Sequence, residues 1–170
     1  MSAGLSQTWR VAYAKQARAD LRARDVLLRD PKLPSCQQLH FLQMACEKLS
    51  KAYLCWRGAD PNTLQGSHAY ISTTIPQIVI QQLSRQSPKA QQSGGSVMRG
   101  IRTLARQIEL LAPAVDAAGR APANCEYPWE DSTGTVRVPA EHKFALDLLY
   151  APAGRHLLKA ITVGAEELTK

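Results

Sequence analysis

Three arginines, Arg99, Arg102 and Arg106, follow one another at steps of three and four, which on a helix gathers them into one stripe. A guanidinium presents a fork of donors that matches phosphate oxygens, so a bare stripe of this kind suits a phosphate-facing surface. Only Glu109 opposes it locally. A second basic row, Lys15, Arg18 and Arg22, is partly offset by Asp20 and Asp25 and reads more simply as a solvated helix face. The formal net charge of +7 and a pI near 9.5 agree with an anionic partner such as RNA, DNA, a nucleotide or an acidic protein surface. The same spacing also suits a plain solvated face or an ion-pair partner for another helix.

Other chemistry has little to stand on. The chain has no Gly-rich phosphate loop followed by Lys-Ser/Thr, no dinucleotide fingerprint, no zincin motif and no Gly-x-Ser-x-Gly elbow. Its carboxylates are scattered, and His40, His68, His142 and His156 lie far apart, so neither metal nor cofactor is expected. Cys36, Cys46, Cys55 and Cys125 show no Cys-x-x-Cys spacing and read as free, mostly buried thiols. No apolar run reaches the length of a membrane span. The N-terminus lacks a hydrophobic signal core, so a cytoplasmic location is expected.

The elements that must position these groups are helices. The 170 residues, 45% apolar and only 6% aromatic, predict one all-α domain, an up-and-down bundle of about five helices over 1–170. The stretch from Gln38 to Arg57 organises it. Leu42, Ala45, Cys46, Leu49, Ala52, Tyr53 and Trp56 line its inner side, while Gln43, Glu47, Lys48 and Lys51 suit water or a polar partner. Lys51 is counted with the three arginines as an anion-facing group, and Glu47 precedes it by four residues, the favourable order for a helical ion pair. Before this helix, one capped by Thr8 should run to about Arg29, and the short turn at Pro31–Pro34 makes the two antiparallel neighbours. Asp60 to Ser67 reads as a loop, and a third helix from about Ser67–His68 should be kinked or split by Pro76. Residues 84–95 predict a mobile loop, followed by a fourth helix from Ser96 with its seam at Val97, Ile101, Leu104, Ile108 and Leu111. Residues 119–139 predict an ordered non-helical loop, with a turn at Asp131–Gly134 between short extended pieces and Tyr127 and Trp129 pinning it to the bundle. A last helix should begin after Pro139 and break at Pro152-Ala153-Gly154, leaving a short amphipathic turn at Leu157, Leu158 and Ile161.

The central helix also carries a family resemblance. Phe41, Gln43, Ala45, Glu47, Lys48, Lys51, Ala52, Tyr53 and Leu54 resemble the second helix of the HEPN family, small helical domains many of which are tied to nucleotides or RNA. The match extends to Ala17, Asp20 and Leu21 upstream and to His68 downstream, covering roughly the first half of the chain. The resemblance implies a HEPN-like four-helix core, a homodimer and, as partner, a nucleotidyltransferase-type protein, RNA or a nucleotide. Catalytic members are similar to one another in an arginine followed four to six residues later by a histidine, and cut RNA without metal. A histidine of near-neutral pKa can take the 2′-hydroxyl proton while an arginine holds the attacked phosphate. Here Arg137 and His142 have that spacing, but Val138 replaces the usual polar residue and Pro139 places a helix start inside the motif. The resemblance therefore implies a non-catalytic module binding nucleotide, nucleic acid or a nucleotidyltransferase-type partner, as in toxin–antitoxin or phage-defence systems. The alternatives are a metal-independent ribonuclease using Arg137 and His142, and a purely structural helical dimer.

Overall fold

A computed structural model describes residues 3–67, 69–86, 95–113 and 123–170. The chain is all-α: the described residues form six α-helices and one two-stranded hairpin, in the order α1 (Ala3–Leu27), α2 (Ser35–Trp56), α3 (Pro61–Leu64), α4 (Ile71–Gln86), α5 (Gly95–Glu109), β1 (Trp129–Glu130), β2 (Val136–Arg137) and α6 (Pro152–Glu167). Five of the helices are long; α3 is a single turn. None of the described helices is long and apolar enough to cross a membrane. His68, most of the 84–95 segment (87–94) and residues 114–122, which include the start of the 119–139 segment, lie outside the described residues.

The core lies among α2, α4, α5 and α6, where Leu42, Leu49, Ile75, Val79, Ile101, Leu104, Ile108, Leu157 and Ile161 are sealed from water. From α1 only Ala17 enters that cluster, with Leu21 at its margin. Helix α1 instead lies along α2, antiparallel as expected, with Ser6 near its start donating to the Cys55 carbonyl near the end of α2. The closure of α2 also follows the sequence: Gly58 takes a φ of +91°, and the Ala59 N–H reaches back to the Leu54 carbonyl. Ser72, in the first turn of α4, donates from both N–H and hydroxyl to Glu109 at the end of α5, so these two helices are antiparallel. Gln82 and Arg85 near the end of α4 meet Glu167 at the end of α6, which sets α6 parallel to α4.

Several expectations change. Thr8 does not cap α1; it lies inside the helix, and its hydroxyl turns back to the Gly4 carbonyl. Ser35 is the first residue of α2 and not its cap, which falls to Pro34. Part of the Asp60–Ser67 loop is the helical turn α3, because Pro61 suits a first helical position and the Asp60 carboxylate accepts from the Asn62 N–H. Pro76 does not divide α4. Loss of one backbone bond there is outweighed by burial of Ile71, Ile75, Ile78 and Val79 on both sides of it. The polar side of α2 meets α1 rather than water.

The largest revision concerns the C-terminal third. Residues after Pro139 form two isolated 3₁₀ turns, Pro139–Glu141 and Asp147–Leu149, and the helix begins where a break was expected. Pro152 starts α6 because a first-turn residue needs no N–H donor. Gly154 then allows the helix to lie against the chain before it: a Cβ there would strike the backbone of Leu149. Gly154→Ala should therefore lower stability by roughly 2–3 kcal/mol, the upper part of the overpacking range, whereas Gly66→Ala, with open space around it, should leave the urea midpoint nearly unchanged.

The hairpin and turn are as expected. Trp129 pairs with Arg137 and Glu130 with Val136, and Gly134 takes a φ of +81° at the turn. Of the two aromatics expected to pin this segment, Trp129 does so, buried beside Phe144 and His142. Tyr127 stands in solvent, because the backbone is anchored instead by Asn124, whose buried amide oxygen accepts from the N–H groups of Glu126 and Tyr127. All four cysteines are free and buried. Burial pushes the Cys46 and Cys125 thiols up to about 12, and raises Cys36 and Cys55 in the same direction. Since the thiolate is the reactive species, an aromatic disulfide reagent at pH 8 should titrate the native thiols slowly and all four rapidly once urea unfolds the chain.

Candidate anion-binding surface

On α5 the apolar seam of Ile101, Leu104 and Ile108 turns inward and so fixes which way the rest of the helix faces. Arg99, Arg102 and Arg106 are all exposed. Among the described residues none of the three has an ion pair or a side-chain hydrogen bond. Glu109, the one acid on this helix, is committed elsewhere: its two carboxylate oxygens take the Ser72 N–H at 2.9 Å and the Ser72 hydroxyl at 2.8 Å. A carboxylate at the first turn of α4 meets both the free N–H groups and the positive end of the helix dipole. The stripe thus keeps its charge, spread over about 10 Å of helix axis.

The α1 row is less neutralised than its sequence suggests. Asp20, which offsets the row in the sequence, is 5% exposed and turns toward α2. There it accepts from Gln16 at 2.9 Å and lies 3.5 Å from the Lys48 ammonium. Asp25 sits 3.6 Å from Arg24, whose guanidinium is shifted below its ordinary value by burial. Arg18, Arg22 and Arg24, with Lys159 of α6 across from them, border a groove of about 450 Å³ floored by Leu21 and Leu158. Asp25 and Glu166 are the acids on its rim. Nothing in the local sequence pairs α1 with α6, so the contribution of Lys159 and Arg24 to this groove was not legible beforehand.

Lys51 does not join the arginines. Its side chain is 5% exposed and its ammonium donates to Glu47 at 2.8 Å, in a row completed by Gln43 donating to the same carboxylate at 3.3 Å. Lys51 also lies 6.0 Å from the centre of the Tyr13 ring, close enough for a cation–π contact. The i,i+4 pair read from the sequence is present, but it faces α1 inside the protein, which withdraws Lys51 from any surface ligand.

The hairpin sets Arg137 opposite Trp129, and His142 packs edge-on against that same indole at 4.9 Å. The two residues therefore share a neighbour, yet each is otherwise engaged. The Arg137 Nε donates to Asp131 at 2.7 Å. Asp131 also accepts from Thr133 and Thr135, and these bonds hold its carboxyl well below the usual carboxylate range. The half-buried His142 ring lies edge-on between Trp129 and Phe144, and follows the 3₁₀ turn rather than lying in a helix. His40 pairs with Glu126 at 3.4 Å, and His156 is exposed on α6. Among the described residues no three His, Cys, Asp or Glu side chains converge on a point where a metal ion would be held.

Comparison of the chain with family models, curated proteins and solved structures finds no match. The reading of this surface therefore rests on its own geometry and charge.

Proposed function

We propose that this bundle is a non-catalytic module that binds RNA through the α5 stripe, with phosphates of the strand seated on Arg99, Arg102 and Arg106. The observation that carries the reading is the diversion of Glu109 to the start of α4, which leaves three exposed arginines on one helix with no ion-paired acid among the described residues. Unpaired guanidinium forks on a rigid element favour a phosphate backbone over a single small anion. The engagement of Arg137 by Asp131 and of the His142 ring by two aromatics supports binding without cleavage. The resemblance of the α2 residues to a HEPN helix agrees with an RNA-linked role in the cytoplasm, and a homodimer and a nucleotidyltransferase-type partner belong to the same proposal.

Fluorescence anisotropy of a labelled single-stranded RNA across a salt series tests it. Neutralisation of three phosphates gives log K against log salt a slope of roughly −2, from about −0.7 per phosphate on a single strand. Absent or salt-insensitive binding would leave only the structural reading of the bundle.

A further inference from the structure

Helices α1 and α6 run antiparallel, since Arg24 and Leu158 border one hollow between them and Arg10 and Leu168 border another. At the first of these the two helices stand apart, and the groove of about 450 Å³ runs along about two turns of each. We propose that this groove docks an acidic amphipathic helix of a second protein, its apolar side chains on Leu21 and Leu158 and its carboxylates on Arg18, Arg22 and Lys159. The groove shares no residue with the α5 stripe, so the two surfaces stand or fall separately.

The shape fits a helix. A furrow between two antiparallel helices is the place a third helix fills when bundles pack. Leu21 and Leu158 touch the core on one side and stay half-buried, with half-buried Val163 beside them. Apolar residues at i, i+3 or i+4, and i+7 of a docked helix would cover these three side chains. Two or three turns bury less than a standard interface of about 1,600 Å², so the complex is weak and reversible.

The charges select the partner. Arg18 and Arg22 stand one turn apart on α1, and Lys159 lies across from them on α6. Among the described residues none of the three has an ion pair or a side-chain hydrogen bond. Arg24, deeper in the wall, is held only by Asp25 at 3.6 Å. Four cations against Asp25 and Glu166 leave the walls net positive. Cations on successive turns match carboxylates on successive turns of a helix, which the single head of a fatty acid does not supply. A phosphate strand would meet the cations and leave the leucines uncovered. A second copy of this chain brings a net charge of +7 of its own and is repelled. An acidic helix with an apolar seam satisfies both the rims and the floor.

Fluorescence anisotropy of a labelled model helix of about four turns, with leucines at i, i+3 and i+7 between glutamates, tests the docking on the whole protein. Saturable binding is expected. It should weaken at least tenfold when the leucines become alanines, when the same residues are scrambled, or when the protein carries Arg22→Glu with Lys159→Glu. Both positions are exposed, so circular dichroism should stay unchanged. Should that variant fold poorly, Arg22→Gln with Lys159→Gln decides by an at least threefold loss. A peptide with lysines in place of the glutamates should bind the charge-reversed protein at least tenfold better than the parent, a reciprocal gain that a damaged fold would not produce. The Arg99→Ala, Arg102→Ala, Arg106→Ala protein should bind the glutamate peptide as the parent does, which keeps this outcome separate from that of the RNA test. No saturable binding of the glutamate peptide, binding indifferent to its leucines or to the groove variants, or its displacement by single-stranded RNA or by dodecanoate would each overturn the proposal.

Discussion

Exchange of Arg99, Arg102 and Arg106 together for alanine should weaken single-stranded RNA binding by roughly 10- to 100-fold near 50 mM salt, and flatten the salt slope toward zero. The three side chains are exposed and their helix is held by the buried seam at Ile101, Leu104 and Ile108, so far-ultraviolet circular dichroism should stay unchanged. The matched control removes equal charge from the α1 row with Lys15→Ala, Arg18→Ala and Arg22→Ala. If binding depends on net charge alone, the two triple variants will lose affinity equally, and the assignment to α5 fails. If it depends on the stripe, the α1 variant keeps most of the slope.

The second large effect is on folding. Glu47→Ala leaves the Lys51 ammonium 5% exposed without its 2.8 Å partner. Breaking a buried pair from one side typically costs about 3–5 kcal/mol, because the stranded charge keeps its desolvation penalty. In a chain of this size that lowers the melting temperature by about 6–20 °C, at about 2–4 °C per kcal/mol. The double change Glu47→Leu with Lys51→Met removes both charges at similar volume, and should recover most of the lost stability in urea denaturation. A single variant as stable as the parent would mean that water reaches Lys51 and that the row is not sealed by α1.

How much of this could be read beforehand depended on whether the information was local. The inward faces of α2 and α5 follow from residues three and four apart, and Leu42, Leu49, Ile101 and Leu104 are buried as their spacing predicts. The Asp131–Gly134 turn was legible for the same reason. Pro152 misled because one residue type can end a helix or begin it, and the choice depends on how Gly154 meets Leu149 five residues back. At the candidate surface the three arginines of α5 were legible as a stripe. The freedom of that stripe was not, since it depends on Glu109 reaching Ser72 in a different helix. Lys51 failed the other way: its spacing from Glu47 is correct, but an ion-pair pattern looks the same on a wet face and a covered one.

The contact between α1 and α2 has a further consequence for how sharply the two helices are aligned. Along a greasy seam a slip of one turn exchanges one methyl group for another at small cost. Here such a slip would part Asp20 from Lys48 and draw Tyr13 away from Lys51, leaving buried charges without these partners. Direction-dependent bonds therefore act as teeth between the two rods, and with them the placing of Arg18 and Arg22 on the groove between α1 and α6 is set to within a fraction of a helical turn.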